Sequence, residues 1–264
     1  MSEVATPTAT PGIVGSQKSL GYTLMSVEVE INHECNRACV YCPNSKTERK
    51  TKGRMSEELF RRVLAQLREI DYKGRISYHF YNEPLLSPDL DKFVGLTREY
   101  LPEVRSSIYS NGTLLTEKRF RDLIALGVDR FTITRHHGIK DFPFAKIYES
   151  LEPEMKLKVT YQDYNDLVLS NRGGLLKVGY KAEKPPLALP CHIPATLLVV
   201  TVSGNVLPCF EDYHEGNIMG NVQENTIAEI WRSEKYVQFR AVLRMRQRFK
   251  HDVCKTCNNR LIFR

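Results

Sequence analysis

Seven cysteines, falling in two sets, constrain this chain more than any other feature. Cys35, Cys39 and Cys42 have the form C-x3-C-x2-C. Cys191, Cys209, Cys254 and Cys257 follow much later and end in a C-x2-C pair. An odd number of cysteines, behind a first segment without the apolar stretch of an export signal, argues against a disulfide framework. Three thiolates in one short loop can hold three corners of an iron–sulfur cubane and leave the fourth iron to an outside ligand. Zinc would want a fourth protein ligand there, which His33 could supply. The later four can complete a centre by themselves, and their C-x2-C pair suits zinc and iron–sulfur equally. Three plus four suggests two metal centres, one a ligand short and one complete.

The hydrophobic pattern says what presents them. Val27, Val29 and Ile31 alternate with Ser26, Glu28 and Glu30, which reads as a strand, and the first cysteine set follows it in a loop. Ser56 starts a helix with Glu57 and Glu58 in its first turn and Leu59, Val63, Leu64 and Leu67 at helical spacing. Further strands are expected over 75–80, 105–109, 128–134 and 156–161, with helices over 89–100 and from Thr116 to about Leu126, where Gly127 stops it. Strands alternating with helices of this length imply a parallel α/β sheet, a barrel or part of one. Ligands in such folds sit at the C-terminal strand ends. The cysteine loop, Tyr81-Asn82-Glu83-Pro84, Tyr109-Ser110-Asn111-Gly112 and Thr134-Arg135-His136 all fall there.

That rhythm stops near residue 170. Beyond Pro185-Pro186 the pattern becomes a hairpin, 197–202 and 206–209 around Ser203-Gly204-Asn205, and then one amphipathic helix carrying Ile227, Ile230, Trp231, Val237, Phe239, Val242 and Leu243. The expected division is a flexible tail over 1–22, an α/β domain over 23–187 and a small cysteine-rich domain over 188–264.

Composition excludes several classes. With 264 residues, 42% hydrophobic and 26% charged, the chain can fill one large core. The longest apolar candidate, residues 195–202, is far below the ~18 needed to span a bilayer. No membrane is expected as partner, and the cytoplasm is the expected compartment. A formal charge of +7 is a mild excess. The densest basic run, 46–54, has no interleaved aromatics, so no nucleic-acid partner is expected.

The spacing Cys35-x3-Cys39-x2-Cys42 after the first strand of an α/β barrel resembles the radical S-adenosylmethionine (SAM) superfamily. The resemblance implies a partial (β/α) barrel, a [4Fe–4S] cluster on those three cysteines, and SAM as cofactor. Residue by residue, it places Tyr41 near the adenine and makes Tyr81-Asn82-Glu83-Pro84 the counterpart of the family's Gly-Gly-Glu-Pro segment, so that Asn82 and Glu83 meet the methionine amino group. Ser110 and Asn111 match contacts to the ribose or methionine carboxylate, and Thr134 and Arg135 match fourth-strand contacts. Gly204-Asn205-Val206-Leu207-Pro208-Cys209 and the cysteines around it resemble the family's shortened auxiliary domain, the twitch domain, which holds a second [4Fe–4S] cluster on Cys191, Cys209, Cys254 and Cys257. A structural zinc in that domain is the alternative.

Within the superfamily, residues 35–45, 74–77, 79–81, 83–86, 166–174 and 206–212 resemble the dehydrogenases that oxidise a secondary alcohol of an aminocyclitol to a ketone in antibiotic biosynthesis. That resemblance implies a 5′-deoxyadenosyl radical that abstracts substrate hydrogen and an auxiliary cluster that takes the remaining electron. It lines the substrate pocket with Tyr81, Arg172, Phe210 and Glu211, and implies a small aminocyclitol or sugar-like substrate and an electron donor of the flavodoxin or ferredoxin type. A redox-neutral epimerase or decarboxylase and a peptide-modifying maturase of the same superfamily are the other readings.

Overall fold

The computed structural model describes residues 23–49, 51–177 and 188–259. The expected tail over 1–22 and the Pro185-Pro186 boundary lie outside them. Five parallel strands, β1 (Ser26–Val29), β2 (Arg75–Ser77), β3 (Arg105–Ser110), β4 (Arg130–Arg135) and β5 (Val159–Asp163), alternate with α1 (Glu57–Glu69), α2 (Leu90–Tyr100), α3 (Glu117–Ala125) and the pair α4 (Pro143–Ser150) and α5 (Pro153–Lys156). Three more, β6 (Leu197–Val200), β7 (Asn205–Leu207) and β8 (Gly220–Asn221), extend the same sheet in the order β5-β4-β3-β2-β1-β6-β7-β8. The result is an α/β sheet of the partial-barrel kind.

Local chemistry explains the helices. The Ser56 hydroxyl accepts from Leu59 N–H and Glu57 and Glu58 stand in the first turn, so both the cap and the dipole favour α1. Its inner face buries Leu59, Phe60, Val63, Leu64 and Leu67, and Phe60 stacks on Phe93 of α2 at 4.2 Å between ring centroids. Thr116 caps α3 in the same way.

Several expectations are revised. The helix read through 227–243 is two, α6 (Ile227–Arg232) and α7 (Glu234–Arg244). Ser233 between them is extended, and its hydroxyl caps α7 by accepting from Tyr236 N–H. The apolar period runs on because both helices face one core. The fifth strand begins at Val159, since Pro153 opens a helical turn just before it. The segment beyond 188 does not stand apart from the barrel: β6 pairs in parallel with β1, Val27 opposite Leu198 and Val29 opposite Val200. Since β7 runs antiparallel to β6, Cys209 lies toward the end of the sheet opposite the first cysteine loop.

β1 also departs from the usual alternating strand. Its polar residues do not face bulk water: Ser26, Glu28 and Glu30 are as buried as Val27 and Val29. Glu28 lines the cavity of the barrel interior, which needs polar walls, while Ser26 accepts from Arg75 and Glu30 is paired with Arg49. Among the described residues no helix is long and apolar enough to cross a membrane.

Candidate active site

A cavity of about 600 Å³ fills the barrel mouth. Cys35, Cys39 and Cys42 stand on its wall with Tyr41, Tyr81, Asn82, Glu83, Ser110, Asn111, Thr134, Arg172 and Phe210. The loop that carries the cysteines is pinned by Cys42 N–H donating to Cys39 O at 3.0 Å and by Ser45 Oγ donating to Cys42 O at 3.0 Å. Burial pushes the Cys42 thiol up to about 11, so loading metal here releases protons.

Glu83 is the most tightly held of the candidates. One carboxylate oxygen accepts from Ser110 Oγ at 2.8 Å and Leu85 N–H at 3.1 Å, and the other from Asn111 N–H at 2.8 Å. Burial nevertheless raises its pKa above the ordinary carboxylate value. An added cation beside it would restore the ionised form, as a ligand's ammonium group would. The Asn82 amide is consumed locally, donating to Asn32 Oδ1 at 2.6 Å and Tyr78 O at 3.2 Å and accepting from Phe80 N–H at 2.8 Å. It shapes the turn that delivers Glu83. Asn111 holds the cysteine loop in turn, donating to Asn36 Oδ1 at 2.8 Å. Tyr41 stacks on Tyr164 at 4.9 Å and its hydroxyl meets His136 Nδ1 at 2.5 Å, forming an aromatic wall.

Arg135 is placed differently from expectation. It is paired with Asp163 at 2.5 Å and stands outside the cavity lining, whereas Thr134 and His136 are on it. Side chains alternate along a strand, so Thr134 and its second neighbour face inward together and Arg135 cannot. Burial and Arg37 lower the His136 pKa to about 4, which keeps the ring neutral at ordinary pH.

The other end of the cavity meets the second cysteine set. Arg172 has φ of 51°, Gly173 64° and Gly174 92°, three left-handed residues in a row. Only glycine fits the second: a Cβ there would come within 2.7 Å of Glu211 O. This turn carries the Arg172 guanidinium over the Tyr81 ring at 5.6 Å and to 3.8 Å from Glu211 Oε1. Burial would lower the Arg172 pKa, but Tyr81, Glu211 and Cys42 outweigh it and hold the cation above its ordinary value. Glu211 Oε1 also accepts from Ser170 Oγ at 2.7 Å and Asn259 Nδ2 at 2.6 Å. Its Oε2 is buried with no hydrogen-bond partner, and so is Arg172 Nε. Such orphaned atoms beside a cavity are what a polar ligand satisfies.

Behind Glu211, a small second cavity has Cys191, Cys209, Cys254 and Cys257 all on its wall. Burial pushes the Cys254 and Cys257 thiols up to about 12. Tyr81 bridges the two sets: its hydroxyl donates to Phe210 O at 2.7 Å and lies within electrostatic reach of both Cys42 and Cys209. The donor sets fit clusters better than single ions. His33, the one candidate for a fourth ligand, does not stand on the cavity wall with the three cysteines, and its Nδ1 meets the Gly53 backbone, 2.9 Å from N and 3.0 Å from O. Among the described residues no three His, Cys, Asp or Glu side chains are gathered closely enough for one metal ion. A polynuclear cluster takes thiolates spread more widely, and sulfur-only sets suit iron–sulfur.

One group has no site role in the sequence analysis, although Tyr109 falls at a strand end there. Glu28, Arg75, His79, Tyr109, Thr132, Thr160 and Gln162 line the cavity below the cofactor residues. Arg75 sits 3.7 Å from Glu28 and hydrogen-bonds Ser26 Oγ, and His79 stacks on Tyr109 at 4.2 Å. Burial lifts the Glu28 pKa from 4.5 to about 7 and, with Arg75, depresses that of His79 from 6.5 to about 3. A signal for this floor was available. Strands of a parallel sheet covered on both faces read as continuous apolar runs, so the polar alternation of β1 marked a polar interior.

An α/β partial barrel with a three-cysteine loop at its mouth and a four-cysteine centre behind it defines the class: the chain belongs to the radical SAM superfamily. The superfamily's family model matches residues 29–162, and that of SPASM, an iron–sulfur cluster-binding domain, matches residues 191–258. SAM and iron–sulfur clusters are therefore its cofactors. The chain is 49% identical over 233 residues to the S-adenosyl-L-methionine-dependent 2-deoxy-scyllo-inosamine dehydrogenase of Niallia circulans, across 88% of this chain and 92% of that one. It superposes on the crystal structure of BtrN in complex with AdoMet and 2-DOIA with a TM-score of 0.84 and 47% identity, across 89% of this chain and 93% of that one. Likeness to BtrN in an open conformation is lower, with a TM-score of 0.72 and 41% identity across 89% and 92%.

Proposed function

We propose that this chain is a radical SAM oxidoreductase that converts a secondary alcohol of an aminocyclitol to a ketone. The observation that carries the reading is the position of Arg172 and Glu211. Arg172 lines the cavity of the first three cysteines, Glu211 lines that of the other four, and the two side chains touch. A substrate hydroxyl at this pair lies between the two centres. A redox-neutral reaction would have no use for that arrangement; an oxidation needs it.

When bound, SAM with the first cluster supplies removal of a hydrogen atom from a substrate carbon, and the second cluster accepts one electron. Loss of one hydrogen atom, one proton and one electron balances the two-hydrogen oxidation of an alcohol. The chain's own residues do the rest. Glu83 receives the ammonium group of SAM, Tyr41 covers its adenine, and Ser110, Asn111 and Thr134 line the rest of its berth; His136 takes the place that Arg135 was expected to fill. The Arg172 guanidinium donates to the substrate oxygen in a fixed fork and favours its alkoxide character. Being always protonated, it is a poor base. Glu211 Oε2, buried and without a partner, is the better proton acceptor. Tyr81 and Phe210 close the pocket, and Glu28 on the floor suits a substrate ammonium. With four thiols around it, the second centre needs no ligand from the substrate.

Reduced thiols of this number fit a cytoplasmic enzyme, served by a flavodoxin- or ferredoxin-type donor. We keep 23–187 as the SAM domain and 188–264 as the auxiliary domain, sharing one sheet. Anaerobic incubation with SAM, a reductant and 2-deoxy-scyllo-inosamine should give a product lighter by two hydrogens in the mass spectrum. SAM cleavage with an unchanged or isomeric substrate would overturn the reading.

A further inference from the structure

The outer face of the second centre combines exposed apolar and cationic side chains. Phe239, Leu243 and Arg248 line the four-thiol cavity from within. The residues between and after them, Arg244, Met245, Arg246, Phe249 and Lys250, are exposed, Met245 by 58% and Phe249 by 56%. Of the six Lys and Arg in residues 240–258, Arg240 and Arg248 are buried and Lys255 is paired with Asp252, the single acidic residue, at 2.6 Å, which leaves Arg244, Arg246 and Lys250 as the exposed cations. Two apolar side chains thus stand in a field of positive charge, one layer of residues away from the thiols.

The backbone adds an independent observation. Past the end of α7, Arg246 N–H donates to Leu243 O at 3.2 Å and Gln247 N–H to Val242 O at 3.0 Å, the paired bonds of a Schellman cap. The residue in the left-handed position of that cap is normally glycine, yet here it is Arg246, with φ of 65°. Arginine takes this conformation at a cost that glycine avoids. Among the described residues no hydrogen bond or ion pair of its exposed side chain accounts for the choice. Strain held at the surface by a charged side chain points to a use for that charge.

We propose that this face, Arg244, Met245, Arg246, Phe249 and Lys250, docks an acidic one-electron carrier of the flavodoxin type, which takes the electron from the second cluster. The inference rests on the dehydrogenase reading only for why an electron must leave there. One electron enters with SAM cleavage and one leaves with ketone formation, so the oxidised carrier is reduced by the electron the cluster gives up, and the same pool can serve both steps. Opposite charge brings the carrier in, and an apolar contact at its centre keeps it.

The test uses the anaerobically reconstituted holoenzyme and an oxidised acidic flavodoxin. Carbodiimide, which joins amines to carboxylates, should cross-link the flavodoxin to Lys250, and the link should fade as salt is raised. In Cys35→Ala/Cys39→Ala/Cys42→Ala protein, reduced at its remaining cluster, flavin absorbance should report electron transfer. Adding Arg244→Glu/Arg246→Glu/Lys250→Glu should slow it by about tenfold or more, as loss of steering does. Arg246→Gly should raise the melting temperature and still weaken flavodoxin binding, whereas a purely structural arginine would give the first effect alone. Parent-like transfer in the charge-reversed protein, or cross-links confined to the first cysteine loop, would overturn the proposal. Ketone formation is not read in any arm. Docking here without oxidation of any aminocyclitol would fault the dehydrogenase reading alone.

Discussion

Arg172 combines the two things a functional residue shows in a static structure, an uncomfortable backbone and an unsatisfied side chain. Its left-handed φ costs roughly 1–2 kcal/mol, and its Nε is buried without a partner. We expect Arg172→Ala to bind SAM as the parent does and to lose tenfold or more in turnover, about the effect of one lost transition-state contact. Parent-like turnover would return the proton chemistry to Glu211 alone. Arg172→Lys keeps the charge without the fork and should fall nearly as far. The floor of the cavity offers a second test, through pH. Folded Glu28 holds its proton to about pH 7, and unfolded Glu28 only to 4.5, so its share of stability is lost as pH rises between those values. Folded His79 stays neutral down to about pH 3, while the unfolded ring takes a proton below 6.5, so its share is lost as pH falls. Between 4.5 and 6.5 the two slopes oppose. Glu28→Gln removes one of them, and the unfolding free energy should then climb with pH more steeply than in the parent, by about 1.4 kcal/mol per unit. An unchanged slope in denaturant melts would mean that Arg75 keeps Glu28 ionised. The cysteines and Glu83 stand out in the sequence as candidates by residue type, and the structure places them on the walls of the two cavities. Glu28 does not stand out, because its meaning depends on which face of β1 looks into the barrel. Arg135 was misplaced for the same reason, by one position along β4.

The loop around Arg172 is tied to α8 (Asp252–Thr256), the element that carries Cys254. Asn171 N–H donates to Asn258 Oδ1 at 2.7 Å, Asn258 N–H returns a bond to Asn171 Oδ1 at 3.1 Å, and Thr256 Oγ1 donates to Gly173 O at 2.6 Å. Gly174 lies so close that a Cβ would come within 2.6 Å of the Thr256 side chain. Loading the second cluster is therefore expected to steady the loop that carries Arg172 as well. In Cys254→Ala/Cys257→Ala protein we expect SAM cleavage to persist, ketone formation to stop, and amide exchange over 170–176 to quicken. Ketone made at the parent rate by a folded double variant would contradict this, and circular dichroism must show that it is folded. Elements with strong caps, α1 and α3, could be read directly from Ser56, Thr116 and Gly127. The break at Ser233 could not, because the apolar period continues across it and only the serine's choice between helix interior and cap decides. Nor could α4, whose inward-facing Phe144 packs on Phe120 and Tyr161 and gains its order from them.

One sheet anchors the first thiol set and two members of the second, Cys191 and Cys209, since β6 lies between β1 and β7. The first set follows β1 at its C-terminal end; Cys191 and Cys209 of the second bracket β6 and β7 toward the opposite end, and α8 and its C-terminal cap bring Cys254 and Cys257 to them. A shared framework fixes the separation of the two centres whatever their occupancy, which is what electron transfer through a substrate site requires. That β6 would join β1 was beyond the sequence, because a hairpin signal gives its internal pairing and says nothing of the edge it adds to. The three and four division of cysteines does survive into the structure as two separate cavities, and it sets a number. Three thiols with an open iron and four thiols around a second cluster correspond to about eight irons and eight sulfides per chain after anaerobic reconstitution. Cys35→Ala/Cys39→Ala/Cys42→Ala should halve the iron and abolish SAM cleavage, leaving the second cluster's absorbance. Cys254→Ala/Cys257→Ala should also halve it, with cleavage retained. An unaltered chain that never exceeds four irons would mean that the second set holds some other metal, or none, and the electron acceptor on which the oxidation depends would have to be sought outside the chain.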